Sequence, residues 1–397
     1  ETGENRHLEL LKKYDRSRLF DPLLKGEDVL TNKHANTTIP EVLGAARAWE
    51  VTGEERWFDI VKAYWKQAVT NRGMFCTGGQ TSGEIWTAPF KFSARLSDKN
   101  QEHCTVYNMM RLAEFLFRWT GDLKYADYWE RNLYNGILAQ QNADTGMISY
   151  FLPLEPGGQK KWGTETEDFW CCHGSLIQAH AMYNDKIYYY ENDGLLVSQY
   201  IPSELSLCMK GKKVIIKQYL DKQAGDIGII KDVIEKANRP QSISYLFELQ
   251  CEEEQEFSIK FRLPWWVDGQ VKIYINGEKQ TLKDNSSSLI ELNRIWYKDK
   301  IKLVFPKSLS SCPLPDLPNT VAFMDGPIVL AGLIDKQVKL YGDIDNVESI
   351  LIPDNERQWG TWLSGYRTKN QEFSIRFKPL YEIIDEKYTI YFPVEKS

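Results

Sequence analysis

The stretch MMRLAEFLFRWTGDLKYADYWERNLYNGIL, residues 109–138, decides the fold of the first half of the chain. Apolar residues recur at helical spacing on both sides of Thr120, Gly121 and Asp122, the pattern of two amphipathic helices joined by a short turn. Residues 39–69, IPEVLGAARAWEVTGEERWFDIVKAYWKQAV, repeat the scheme, with Pro40 at a helix start and the turn at Thr52 and Gly53. The two copies agree in detail: Trp57 and Asp59 follow the first turn in the register in which Tyr125 and Asp127 follow the second. A helix hairpin cannot bury its apolar face alone and must stack on its neighbours, as in a solenoid or a closed α/α toroid. Periodicity gives about six helices before residue 190, the last one after Gly174. A closed ring needs about twelve. Half a toroid is therefore expected, completed by an upstream segment or by a partner chain that covers the apolar faces.

Near residue 192 the pattern changes to short alternating runs such as KVIIKQYL, FSIKFRLPWW and KYTIYFPV. Asn276-Gly277 between two such runs is a strong hairpin signal. Val321 to Leu333 reads as a buried strand pair near the end of a first β-sandwich. The expected fold class is thus α+β and multidomain: a partial α/α toroid over residues 1–191, a β-sandwich over 192–335 and a second, smaller β-domain over 336–397. Two long irregular segments, 71–102 and 141–171, interrupt the helices, and loops of that length are usually functional.

Composition narrows the function classes. Hydrophobic residues make up 42% and charged residues 26%, with no run near the roughly 20 apolar residues of a membrane helix. A net charge of −6 with Lys and Glu interleaved offers no basic face to a nucleic acid. The opening ETGENRHLELLKKYDRS has no signal-peptide features, which favours a cytoplasmic chain or a start further upstream. Seven cysteines, an odd count in a large chain, point to a metal or a reactive thiol rather than to a disulfide framework.

The thiols that matter sit in two short motifs. QEHC, residues 101–104, offers Glu102 and Cys104, and EDFWCCHGS, residues 167–175, offers Cys171 and Cys172. Three thiolates and one carboxylate complete a tetrahedral Zn²⁺ set at roughly 2.0–2.3 Å. Glu102 and Cys104 stand at an expected helix N-terminus, where the helix dipole favours anions. The spacing is not that of a zinc finger. The residues alone leave the plainer reading open, in which Cys104 and Cys172 are buried small side chains and Glu102 is an acid of the first helical turn.

GEDVLTNKHANTTIP, GGQTSGEIW, the run from DKNQEHC to NGILA, MISYFLPL, FWCCHGS and FKPLYEIIDEKYTIYF together resemble the zinc-dependent β-L-arabinofuranosidases of glycoside hydrolase family 127 and its relative, family 146. The resemblance covers nearly the whole chain. It implies a helical toroid followed by β-sandwiches, and a retaining glycosidase with a zinc-bound cysteine nucleophile. By matching position, Cys171 is the nucleophile, Glu102, Cys104 and Cys172 are the other zinc ligands, and Glu84 is the general acid/base. His34 and Tyr150 match positions that contact the sugar. The sequence departs from the best-studied members at Phe169, where they carry a His, and in lacking a long helical stretch before GEDVL that holds further sugar-binding residues.

The implied chemistry is sensible from below. Free cysteine is mostly protonated at neutral pH, and a coordinated sulfur is not. Other candidates have plainer roles beside the functional ones. Glu84 alone reads as a solvated loop acid and His34 as a helix cap. His173, next to the pair, is a candidate sugar contact that can instead only tune the site from behind the ligands. Trp86, Trp162 and Trp170 can stack on a sugar or fill the core. Cys76, Cys208, Cys251 and Cys312 read as structural. The leading expectation is an enzyme that releases terminal β-L-arabinofuranose or a related sugar from an oligosaccharide of plant type, with Zn²⁺ as cofactor. A non-catalytic carbohydrate-binding or scaffold protein with a structural zinc is the alternative, and it has no use for Glu84 facing the first cysteine. A polysaccharide lyase needs a base beside clustered arginines, and the sequence has no such cluster.

Overall fold

A computed structural model describes residues 3–396 apart from 14, 192–193, 222–241, 282–287, 355–356, 359–360 and 363–364. The chain is α+β, with helices in its first half and two large sheets in its second. The two predicted hairpins are α3 (Ala35–Thr52) with α4 (Glu55–Trp65) and α5 (His103–Thr120) with α6 (Lys124–Asn132). Their turns match bond for bond. Gly53 and Gly121 both stand at φ 67°, the left-handed conformation that ends a helix without a Cβ clash. Thr52 and Thr120 donate their hydroxyls back to Ala48 and Leu116 and accept from the amides of Glu54 and Asp122, each at 3.2 Å. Each second helix also unwinds into a π-turn, at Lys66–Thr70 and Leu133–Ile137. The copies pack on one another directly, with Trp65 edge-on to Tyr125 and Tyr128 at 4.9 and 4.8 Å between ring centres.

Two helix starts differ from expectation. The helix expected to begin at Pro40 begins at Ala35, after His34 in an extended conformation, so Pro40 lies inside it. The last helix, α7 (Cys171–Met182), begins at the cysteine pair rather than after Gly174. Gly174 has open space around it and is exposed, so the helix runs through it. With α1 (Asn5–Lys13) and α2 (Ser17–Leu24) the described residues hold these seven α-helices. Among the described residues no helix is long and apolar enough to cross a membrane.

The first sheet follows the order β3 (Tyr188–Glu191), β4 (Gly194–Val197), β7 (Ser242–Arg262), β10 (Leu289–Pro306), β8 (Lys272–Ile275) and β9 (Glu278–Gln280), with β5 (Ser203–Met209) and β6 (Lys212–Leu220) attached beside β7. Asn276 and Gly277 form the expected hairpin turn between β8 and β9, both with positive φ. The second sheet corrects the expected division at residue 335. The strands β12 (Leu317–Asp325) and β13 (Ile328–Gly332) pair not with the first sheet but with the C-terminal strands Phe392–Glu395 and Arg376–Pro379, and β11 (Leu309–Leu314) pairs with β12. Thr320 to Met324 are buried on both faces, which is why VAFM reads as an unbroken apolar run. One face supports the two long loops: Phe75, Phe92, Leu152 and Leu154 pack on Ala322, Met324, Val329 and Tyr391.

The helices are fastened to the first sheet by Arg262 at the end of β7, which is fully buried. Its guanidinium donates to Asp127, to Glu130 at 3.0 Å and to the Ser198 carbonyl at 2.6 Å, and Trp266 donates to Glu130 from the other side at 3.0 Å. Burial pushes the Asp127 carboxyl up to about 6 against the pull of Arg262. Replacing Arg262 by Met leaves the buried Glu130 and the partly buried Asp127 without their cation, and the expected result is a loss of about 3–5 kcal/mol in unfolding free energy by denaturant titration. A loss below about 1 kcal/mol would mean that this ion cluster does not hold the interface.

Candidate active site

Four segments meet at one end of α5. The hairpin of β1 (Thr81–Ser82) and β2 (Ile85–Trp86) turns through Gly83 and Glu84, at φ 58° and 65°. A two-residue hairpin of this kind asks for positive φ at both positions, which Gly meets freely and Glu does not. The strain aims the Glu84 carboxylate: Oε2 lies 3.1 Å from His34 Nε2, and Oε1 accepts the Tyr150 hydroxyl. The Glu84 carbonyl in turn accepts the Ala35 amide at 2.8 Å, which ties the hairpin to the start of α3. Tyr150 also lies 3.9 Å from Cys171 Sγ, so one hydroxyl stands between the carboxylate and the first cysteine.

Glu102, Cys104, Cys171 and Cys172 converge. Their ligand atoms all lie within 4.8 Å of one another. Glu102 and Cys104 open α5, and Cys171 and Cys172 open α7, so two helix N-termini face a cluster of acids and thiols. Cys104 Sγ is 3.5 Å from Cys172 Sγ, and Cys171 Sγ is 3.9 Å from Glu102 Oε1. Ligands about 2.3 Å from a central ion at tetrahedral angles stand about 3.7 Å apart, so these separations fit one metal ion. Glu102, Cys104 and Cys172 are buried, and Cys171 is exposed toward the Glu84 side.

Burial and mutual charge set the protonation of these four groups. Burial, then the Cys104 charge, pushes the Glu102 carboxyl up to about 8. The hydrogen bond with Cys172 draws Cys104 down to about 6, and the same contact, with burial, holds Cys172 well above an ordinary thiol. Burial raises Cys171 as well. Protons thus occupy ligand atoms that a metal needs free, and binding must displace them. Metal affinity should therefore rise with pH between about 6 and 8, by about tenfold per unit for each proton displaced. Competition against a chromophoric chelator measures this. An affinity independent of pH over that range would show that the cluster is already deprotonated.

Two other side chains complete the cluster, and sequence reading passed over both. Ser175 Oγ donates to Cys104 Sγ at 3.1 Å, and Thr105 Oγ1 donates to Glu102 Oε2 at 3.0 Å. Helical spacing held the signal, since Ser175 is three and four positions after the cysteine pair and Thr105 three after Glu102. Two expected sugar contacts are placed elsewhere. Trp86 is fully buried, with its indole N–H on Thr38 Oγ1 at 3.3 Å and its ring beside Tyr64 and Arg72, so it presents no face to a ligand. His173 packs beside Trp170 and Gly163 in the loop, with both ring nitrogens shielded from solvent. Trp162 donates to the Ile384 carbonyl at 3.0 Å and is a packing residue.

Comparisons with known proteins agree with this architecture. Residues 1–185 match the GH127 catalytic domain of the β-L-arabinofuranosidases, and residues 194–307 match the middle domain of the same family. A non-reducing end β-L-arabinofuranosidase of Bifidobacterium longum subsp. longum is 24% identical over 251 residues, which are 59% of this chain and 35% of that protein. The crystal structure of a GH127 β-L-arabinofuranosidase from Geobacillus stearothermophilus T6 superposes with a TM-score of 0.71 at 21% identity, covering 95% of this chain and 62% of that one. A solved GH127 β-arabinofuranosidase gives a TM-score of 0.74 at 19% identity, covering 99% of this chain and 66% of that one. The chain therefore spans less than two thirds of the length of the first two of these relatives. The two family models together cover most of the chain. The chain belongs to glycoside hydrolase family 127, the β-L-arabinofuranosidase family.

Proposed function

We propose that this chain carries the catalytic centre of a retaining glycosidase that releases terminal β-L-arabinofuranose, or a closely related sugar, from plant-type glycans. The observation that carries the reading is the Tyr150 hydroxyl bonded to Glu84 and 3.9 Å from Cys171. A cluster that only stapled two loops would have no reason to expose one thiol toward a carboxylate. Cys171 is the nucleophile, and with Glu102, Cys104 and Cys172 it would hold Zn²⁺ as one of four ligands. When bound, the ion supplies the charge that keeps these sulfurs as thiolates at neutral pH.

The protein's own groups then divide the work. Cys171 attacks the anomeric carbon from one face while Glu84 gives its proton to the departing oxygen from the other. Burial and the bond to Glu84 hold Tyr150 as a phenol, so it donates to the carboxylate and keeps it aimed. His34 fixes the second carboxylate oxygen. Water then displaces the sugar from sulfur with Glu84 as base. Two inversions return the original anomer. The helix hairpins are read as part of an α/α toroid, with the rest of the ring supplied by further chain or by a partner.

The deciding experiment is hydrolysis of a panel of aryl furanosides and pyranosides by the zinc-loaded chain, with the anomer of the first-formed product read by NMR. Cleavage of the β-L-arabinofuranoside with retention is expected. Zinc binding without cleavage of any member would favour the scaffold alternative.

A further inference from the structure

The C-terminal run FKPLYEIIDEKYTIYF, residues 377–392, takes no part in the chemistry above, yet it grips the loop that carries Tyr150. Lys160 Nζ donates to the carbonyls of Leu380 and Ile383 at 2.8 and 2.7 Å. Two residues on, Trp162 donates to the Ile384 carbonyl at 3.0 Å, and Tyr388 donates its amide to Gly158 and its hydroxyl to Pro153. Lys160 is only 4% exposed, and burial draws its ammonium down to about 7 against the weaker pull of Glu386, which is itself paired with Lys378. A buried charge without a direct ion pair is costly, and an apolar side chain of the same length fills the space without that cost. What the ammonium adds is direction, since two carbonyls fix where residue 160 stands.

That position is passed on through backbone pairing. Trp162 bridges Ser149 across an antiparallel contact, and the Gly163 amide donates to the Ile148 carbonyl at 2.8 Å. Residues 148–150 are held from the opposite side by the Gln140 carbonyl on the Ser149 amide and by the His103 amide on the Tyr150 carbonyl, at 2.8 and 3.1 Å. Tyr150 is thus set between the start of α5 and the strand anchored by Lys160. Its hydroxyl is the group that meets both Glu84 and Cys171.

We propose that Lys160 is a positioning residue for glycoside cleavage: by clasping the Leu380 and Ile383 carbonyls it fixes the register of residues 160–163 against 148–150, and with it the place of the Tyr150 hydroxyl between Glu84 and Cys171. The proposal rests on the hydrolytic reading of the site. It also gives the C-terminal sheet a role in the reaction without contact with the sugar.

The test is a double-mutant cycle on the zinc-loaded chain with Lys160→Met and Tyr150→Phe. Lys160→Met alone should lower kcat roughly 10- to 100-fold, the scale of a misplacement near 1 Å, with KM within about threefold and the metal content unchanged. In the Tyr150→Phe background the same change should cost less than about twofold. Full additivity, or an unchanged kcat in a folded Lys160→Met chain, would overturn the proposal. If Lys160→Met does not fold, Trp162→Phe removes one donor from the same clasp and should show the same non-additivity with a smaller loss. Peptide-resolved hydrogen exchange gives a readout that does not need turnover: residues 148–150 should exchange faster in either variant while α3 and α4 stay unchanged. No change at 148–150 sinks the coupling. If the zinc-loaded wild type cleaves no glycoside, the hydrolytic reading fails by itself, and the exchange result still decides whether Lys160 sets the loop.

Discussion

Cys171→Ala should remove hydrolysis of an aryl β-L-arabinofuranoside by at least about 10⁴-fold, the scale of losing a catalytic nucleophile. The expectation follows from the contrast within the cluster. Glu102, Cys104 and Cys172 are buried, and Cys171 alone of the four is exposed, beside the hydroxyl that also meets Glu84. Three ligands remain in the variant, enough to keep a metal at reduced affinity, so the prediction is a chain that is loaded and folded but inactive. Metal analysis of the assayed sample separates loss of the nucleophile from loss of the ion. Cys172→Ala is the control: it removes a ligand from the buried side and should lose metal and activity together. If metal-loaded Cys171→Ala kept activity within about tenfold of the wild type, the attacking group would have to be sought elsewhere.

The second large effect is expected at Glu84, and its size should depend on the substrate. Glu84→Gln keeps the shape of the side chain and can still face Tyr150 and His34, but it has no proton to give. An alkyl or sugar leaving group must be protonated as it departs, so its hydrolysis should fall by about 10²–10⁴-fold. A nitrophenyl leaving group needs little help. Its first step should fall by about tenfold or less, and the slower second step, which needs a base for water, should then limit turnover. Presteady-state bursts on nitrophenyl substrates measure the two steps separately. A uniform loss across leaving groups would assign Glu84 to binding rather than to proton transfer.

The helix hairpins were legible because their signal is local. The glycine, the threonine before it and the acid after it build the same turn twice, and the structure repeats those bonds. What was misread depended on neighbours distant in sequence. Val321 to Met324 and Val329 to Ala331 are buried by loops before them and strands after them, so the assignment of Val321 to Leu333 to the first β-domain had no check in its own pattern. Trp86 had the look of a loop aromatic and is core, because Thr38, Tyr64 and Arg72 close around it. The ligand cluster was not legible by spacing either. Its two halves lie on different helices far apart in sequence, and only the fold brings α5 and α7 to a common end, so family resemblance had to supply the pairing that local chemistry left open.

The left-handed backbone at Glu84 has a further meaning for anyone who redesigns this chain. A long side chain such as Glu sits uneasily there, by about 1 kcal/mol, where Gly, or Asn with its short polar side chain, would rest comfortably. An algorithm that scores each position for thermostability would therefore mark residue 84 as a flaw and repair it. The repaired hairpin would be the sounder piece of architecture, with nothing left to reach Tyr150 or His34.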